Sequence, residues 1–187
     1  HQDGPRLVFR GEENPRAKLM ACARNDKLFT DGSDQAQLSK QVRYVIGGTD
    51  EVAKLFRVIA LPKSWQTEPW STLDEAEQPE RWDERLPILV LPEEPDNITA
   101  TLGRWLKDHL QKRRNTIRFL LPRSGSLNAY QDRDLLILAR AEMKAQEWSG
   151  QNPEYKKLHT EFQSALRDML KKRFDRFAVL HRWNFAD

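Results

Sequence analysis

The residues of this chain best suited to chemistry lie in short segments that follow apolar runs. Arg123-Ser124-Gly125-Ser126 follows Leu121-Pro122. A loop of this type at the end of a strand can hold an anion with its backbone amides and with the arginine. The corresponding segment after Leu91-Pro92 carries Glu93, Glu94 and Asp96. Those carboxylates would repel a phosphate or pair with Arg123, so a plain strand-to-helix connection competes with the anion site. Two basic clusters offer a second chemistry. Lys112, Arg113 and Arg114 stand with Arg118, and Lys171, Lys172 and Arg173 stand with Arg176 near Phe174 and Phe177. Cations interleaved with aromatic rings can hold phosphates and stack bases. The same cations also suit helix C-termini, where the macrodipole favours positive charge.

Other catalytic patterns fail on spacing. There is no Gly-x-x-x-x-Gly-Lys loop and no Gly-x-Gly-x-x-Gly after an apolar run, so the nucleotide-binding fingerprints are missing. Asp134, Glu142 and Lys144 superficially follow a metal-nuclease order. That site needs its Glu and Lys on a strand, where a spacing of two keeps both on one face; on a helix the same spacing turns them about 200° apart. His1, His109, His159 and His181 are scattered without a Cys or His at metal-ligand spacing, so no metal site and no cofactor is expected. Cys22, the single cysteine, sits in Leu-Met-Ala-Cys-Ala and reads as a small apolar filler.

The elements that must position these groups can be read from periodicity and punctuation. Leu55 to Leu61, Leu86 to Leu91 and Thr116 to Leu121 are short apolar runs, each leading into a Leu-Pro pair. The latter two are nearly continuous in apolar residues, as strands covered on both faces of a parallel sheet are. If the three are parallel, Pro62, Pro92 and Pro122 start loops on one edge, where α/β sheets bind ligands. Ile98, Leu102, Trp105, Leu106 and Leu110 form a helical stripe between the second and third runs.

A helix is predicted from about Asp132 to Trp148. A second, opened by Asn152-Pro153, carries Tyr155, Leu158, Phe162, Leu166 and Leu170 on one face. Upstream, Asn14-Pro15 opens a short helix, and Ser33 or Asp34 caps another that Gly47-Gly48 ends. Arg6 to Arg10 reads as a short strand, and Arg176 to Phe185 as a strand or an extended tail. Residues 62–85, which carry seven acids, two prolines and three tryptophans between Lys63 and Glu84 without a period, read as a long surface loop or inserted hairpin.

The expected fold is α/β, a Rossmann-like parallel sheet with flanking helices, a small α+β or helical N-terminal part over residues 1–54 and an α/β domain over 55–187 that includes the long loop 62–85 and a long helix at 153–174. With 187 residues, 39% of them hydrophobic, the chain can bury a core. The net charge of +3 against 31 basic and 28 acidic residues describes a mixed surface rather than a basic protein. No apolar run approaches the roughly 18 residues of a membrane span, and one cysteine suits a reducing compartment. A cytoplasmic chain is the expectation, and a start at His1 reads as a piece of a longer protein.

Arg114-Asn115-Thr116-Ile117-Arg118-Phe119-Leu120-Leu121-Pro122, the helix from Leu138-Ala139-Arg140 to Glu147-Trp148, and the ending Arg173 to Leu180 after a long helix carry a resemblance. Together they resemble the C-terminal α/β region of large bacterial AAA+-type ATPases found in anti-phage defence islands of the BREX kind. The resemblance spans about residues 86–187. Such ATPases keep their phosphate loop far upstream, so no catalytic position is carried over. What the resemblance implies is a non-catalytic interaction or regulatory module of a larger ATP-binding protein. Its partners would be the rest of that polypeptide or other defence-system subunits. A module that binds DNA through residues 112–118 and 171–182 is the alternative.

Overall fold

The computed structural model describes residues 14–62, 65, 69–109, 116–181 and 184–186. The strand proposed at Arg6 to Arg10 and the cluster Lys112, Arg113 and Arg114 lie outside the described residues.

The fold is α/β, with helices on both faces of one mixed sheet. Strands β1 (Phe56–Ala60), β2 (Leu86–Val90), β3 (Arg118–Pro122), β4 (Phe174–His181) and β5 (Asn184–Ala186) lie in the order β1-β2-β3-β4-β5. The first three are parallel, with Phe56 opposite Leu86 and Ile88 opposite Arg118, and β4 and β5 add antiparallel. Only β4 therefore runs against the other four. The stretch read as one strand or tail at 176–185 is a hairpin, and the runs at 55 and 116 begin their strands one and two residues later than predicted.

Helix α4 (Ile98–His109) links β2 to β3. It covers one face together with residues from 62–85: Ile59, Leu89, Leu91, Phe119 and Leu121 meet Leu102, Trp105 and Leu106 with Trp65, Trp70 and Trp82. The opposite face is covered by α2 (Asp31–Gly47), α5 (Arg133–Trp148) and α6 (Pro153–Arg173). There Ala60, Ile88, Val90 and Leu120 meet Leu38, Val42, Leu135, Ala139, Leu166 and Leu170. Right-handed crossovers place both β1-to-β2 and β2-to-β3 connections on the same side, which is the side where α4 and the tryptophans sit. Helix α1 (Pro15–Ala23) packs Leu19 and Ala23 onto Ala141, Tyr155 and Phe162 at the far side of α5 and α6.

The prediction for residues 62–85 needs correction. Three short 3-10 turns, Trp70–Thr72, Glu75–Glu77 and Pro79–Arg81, occupy much of this segment. Its tryptophans are 3 to 6% exposed, so the segment supplies core as well as surface. Edge-to-face ring contacts replace a helical or strand period: Trp65 meets Trp105 and Trp70 meets Trp82, each pair with centroids 5.7 Å apart. Aromatic contacts of this geometry carry no sequence period to read.

Capping explains most helix starts. Asn14, Asp132 and Asn152 each accept backbone N–H bonds at the starts of α1, α5 and α6. Helix α2 is capped by Thr30 rather than by Ser33 or Asp34, because Thr30 and Ser33 close a reciprocal capping box. Gly48 ends α2 where a Cβ would fall 2.0 Å from the Tyr44 carbonyl oxygen. A further helix, α3 (Asp50–Leu55), opened by Thr49, runs directly into β1. The outer edge of β1 is covered by α2 side chains, with Ser39 Oγ donating to the Ala60 carbonyl at 3.2 Å and Arg43 Nε to the Val58 carbonyl at 3.4 Å. Pairing of this edge with another strand is thereby discouraged. No helix among the described residues is long and apolar enough to cross a membrane.

Candidate functional site

The in-register parallel pairing of β1, β2 and β3 places Pro62, Pro92 and Pro122 at one edge, the carboxyl end of the three strands. The chain leaves β2 toward the face of α4 and leaves β3 toward the face of α5. That divergence opens a crevice between residues 92–97 and 123–128, which is where open α/β sheets bind ligands.

The structure fills this crevice with ion pairs. Arg123 Nε donates to Asp175 Oδ2 at 3.1 Å, and Ser124 Oγ donates to Glu94 Oε2 at 2.9 Å. Arg176 Nη1 donates to Glu94 Oε1 at 2.7 Å, and Arg173 Nη1 donates to Asp132 Oδ2 at 2.9 Å. Arg173 also reaches the Leu127 and Pro92 carbonyls. The amide of Arg123 is held by the Arg173 carbonyl at 2.7 Å, and that of Ser126 by the Arg123 carbonyl at 3.1 Å. Gly125 supplies the left-handed residue of the turn, with φ of 79°.

Of the four residues of the proposed anion loop, then, Arg123 and Ser124 are engaged with carboxylates of the same chain. Of the acids after β2, Glu94 pairs with an arginine. The arginine that Glu94 takes is Arg176, however, and Arg123 takes Asp175. The decisive element is the start of β4. Its register skips Asp175, with Leu121 opposite Arg176 and Pro122 opposite Phe174. A bulge of this kind re-aims side chains at a strand end, and Asp175 is the residue it sets against Arg123. The signal in the sequence was the alternation of charge in Arg173-Phe174-Asp175-Arg176, directly after a helix whose length returns it to the sheet edge.

Burial and charge tune these groups. The Arg176 bond, followed by the Ser124 hydroxyl, holds the Glu94 carboxyl below its ordinary value. Burial pushes the Arg173 guanidinium down, opposed by Asp132. Because Glu94 binds its proton less readily folded than unfolded, it contributes stability above its ordinary value of 4.5 and loses that contribution as the pH falls below it. Glu94→Gln is accordingly expected to flatten the acid limb of a plot of melting temperature against pH. An unchanged acid limb would remove the pairing from the account.

At the same edge, Leu61 ends β1 with φ of 55°, a left-handed conformation that a side chain rarely adopts. It is fully buried, its amide donates to the Val90 carbonyl at 2.8 Å, and its carbonyl accepts from the Tyr130 hydroxyl. Burial pushes the Tyr130 phenol up, so it remains a donor.

The second basic cluster is divided. Lys171 and Lys172 are exposed on the last turn of α6, whereas Arg173 is buried and Arg176 is paired. Arg118 lies half-buried on β3. The described members of the two clusters thus present two exposed lysines rather than a continuous cationic groove.

Asp134, Glu142 and Lys144 all lie on α5, on a helix as predicted. Glu142 is completely buried and meets His159 Nε2 at 2.8 Å and the Gln37 amide. Lys144 instead pairs with Glu147 at 2.7 Å. Among the described residues no group of three His, Cys, Asp or Glu side chains could hold a metal ion. The bond of His159 to Glu142 joins α6 to α5, a contact that the scattered spacing of the histidines does not announce.

No family model, curated protein or solved structure matches this chain.

Proposed function

We propose that this chain is a non-catalytic interaction or regulatory module of a larger ATP-binding protein, in the setting of bacterial anti-phage defence. One observation carries the reading. At the edge where an α/β sheet would take a phosphate, Arg123, Arg173 and Arg176 are each held by a carboxylate of the same chain. An incoming polyanion would have to displace Asp175, Asp132 and Glu94 and would leave those carboxylates unpaired, two of them beside desolvated partners. The parent context comes from the resemblance of residues 86–187 to the C-terminal region of defence ATPases.

The chain alone is expected to release no phosphate from MgATP above the buffer rate. Turnover that disappears in Ser124→Ala or Arg123→Ala would overturn the proposal. In the full-length protein, deletion of this segment is expected to leave nucleotide binding intact and to remove assembly with partner subunits. Loss of nucleotide binding on deletion would count against the module reading. DNA binding through residues 112–118 and 171–182 is the competing function. It predicts an affinity for duplex that weakens as salt rises, and fluorescence anisotropy over a salt series measures it.

A further inference from the structure

A cavity of about 430 Å³ lies at the start and outer edge of β1, away from the carboxyl edge of the sheet. Its volume is in the range that takes a small organic ligand. Its polar wall carries three guanidinium groups, Arg43, Arg57 and Arg85, and one carboxylate, Glu77. Ala53, Phe56 and Val58 supply an apolar wall. The cations reach the cavity from α2, from β1 and from the approach to β2, and backbone carbonyls hold each in place. Arg43 Nε donates to the Val58 carbonyl at 3.4 Å, Arg85 Nη1 to the Ala53 carbonyl at 3.2 Å, and Arg57 to the carbonyls of Ala76 and Arg81. Carboxylates are divided unequally among them. Arg85 holds Asp83 at 2.8 Å, and Arg43 holds Glu77. Arg57 is left with a contact of 3.4 Å to Asp83, although its side chain is only 18% exposed. A cation so far withdrawn from water calls for a close counter-charge, and among the described residues Arg57 lacks one. Glu77 is a poor substitute. Burial pushes its carboxyl up, opposed by Arg43, whereas Glu94 in the crevice is held below its ordinary value.

We propose that this cavity binds a monoanionic carboxylate carried on a small apolar body, with Arg57 and Arg43 receiving the carboxylate. A carboxylate accepts parallel N–H bonds from a guanidinium fork, and the apolar body covers Phe56 and Val58. An incoming carboxylate displaces Glu77 from Arg43, and Glu77 regains in water the hydration that burial removes. A phosphate dianion would meet Glu77 at close quarters and leave the apolar wall unused, and a cation would face three arginines. The ion-paired crevice differs, because each of its arginines has a carboxylate of its own between 2.7 and 3.1 Å away. The carboxylate can arrive on a free acid or as the C-terminus of a polypeptide, and the same groups recognise it in both cases.

The test follows the backbone amides of Gly47, Ala53 and Val58, which belong to the cavity wall, by two-dimensional proton-nitrogen NMR of the full chain. The probes are phenylacetate, its neutral counterpart phenylacetamide, and acetyl-alanyl-phenylalanine with a free carboxylate. Phenylacetate is expected to move these amides saturably, and phenylacetamide is not. Arg57→Gln is expected to weaken phenylacetate roughly tenfold, the loss that follows from removing one charged hydrogen-bond partner. Glu77→Gln leaves the arginines in place and removes the competing carboxylate. It is expected to tighten phenylacetate by roughly the same factor, which keeps the site testable should Arg57→Gln fail to fold. Tighter binding of the peptide would assign the source to a polypeptide, and equal or weaker binding would assign it to a small molecule. Amides that do not move, that move equally with phenylacetamide, or whose response survives Arg57→Gln or Glu77→Gln unchanged would overturn the site.

Discussion

Arg140→Ala is expected to destabilise the fold by about 3–5 kcal/mol, the range for breaking a buried ion pair from one side. In a chain of this size that lowers the melting temperature by roughly 6–20 °C. Arg140 lies on α5 and is 6% exposed. Its guanidinium grips Asp34 of α2 with two bonds of 2.9 and 2.7 Å and donates to Asp26 at 2.7 Å. The Phe29 ring lies 4.7 Å below the cation. These partners raise the affinity of the guanidinium for its proton, the Asp34 bond most of all.

One side chain thus ties α2 and the turn before it to the helix layer, and its removal leaves Asp34 buried without a counter-charge. Replacing both members together, Arg140→Met with Asp34→Leu, is expected to recover much of the loss, since two apolar groups of similar volume need no pairing. Urea denaturation of the single and double variants measures both effects. A single variant within about 1 kcal/mol of the parent would show that the pair is not closed in solution.

The second large effect falls on the other face of the sheet. Trp105→Ala is expected to cost about 3–5 kcal/mol through the cavity it leaves. Trp105 is 1% exposed and is the shared neighbour of Trp65, Trp70 and Phe119, with ring centroids 5.7, 6.4 and 6.4 Å away. Its indole N–H has no acceptor, so the loss is one of packing rather than of a hydrogen bond. Because Trp65 and Trp70 both pack on Trp105, the near-ultraviolet circular dichroism of the tryptophans should collapse before the far-ultraviolet signal does. Loss of both signals together would instead mean that this segment unfolds only with the whole domain.

These two sites also mark the limit of what could be read from the residues alone. Asn152-Pro153 and Asp132 announce helix starts because capping is local, and the apolar runs before Pro92 and Pro122 announce buried parallel strands because covering on both faces removes alternation. The Arg140 pair with Asp34 joins residues 106 apart in sequence, and the Trp105 cluster draws on a segment without period. Neither leaves a local signature. At the candidate site, the three Leu-Pro endings located the edge, and the acids at 93, 94 and 96 argued against an anion there. The partners were not legible, since Asp175 meets Arg123 only through the skipped register between β3 and β4. A hairpin read as one strand gives no warning of that contact.

The arginines of this sheet edge are already satisfied from within the chain. Amide chemical shifts of Arg123, Ser124, Gly125 and Ser126 during titration with MgATP measure that directly. The account predicts no saturable movement at these four amides up to about 10 mM nucleotide, which places any affinity weaker than about 3 kcal/mol. Saturable shifts centred on Ser124 and Gly125, with loss of the Arg123 pairing to Asp175, would contradict it.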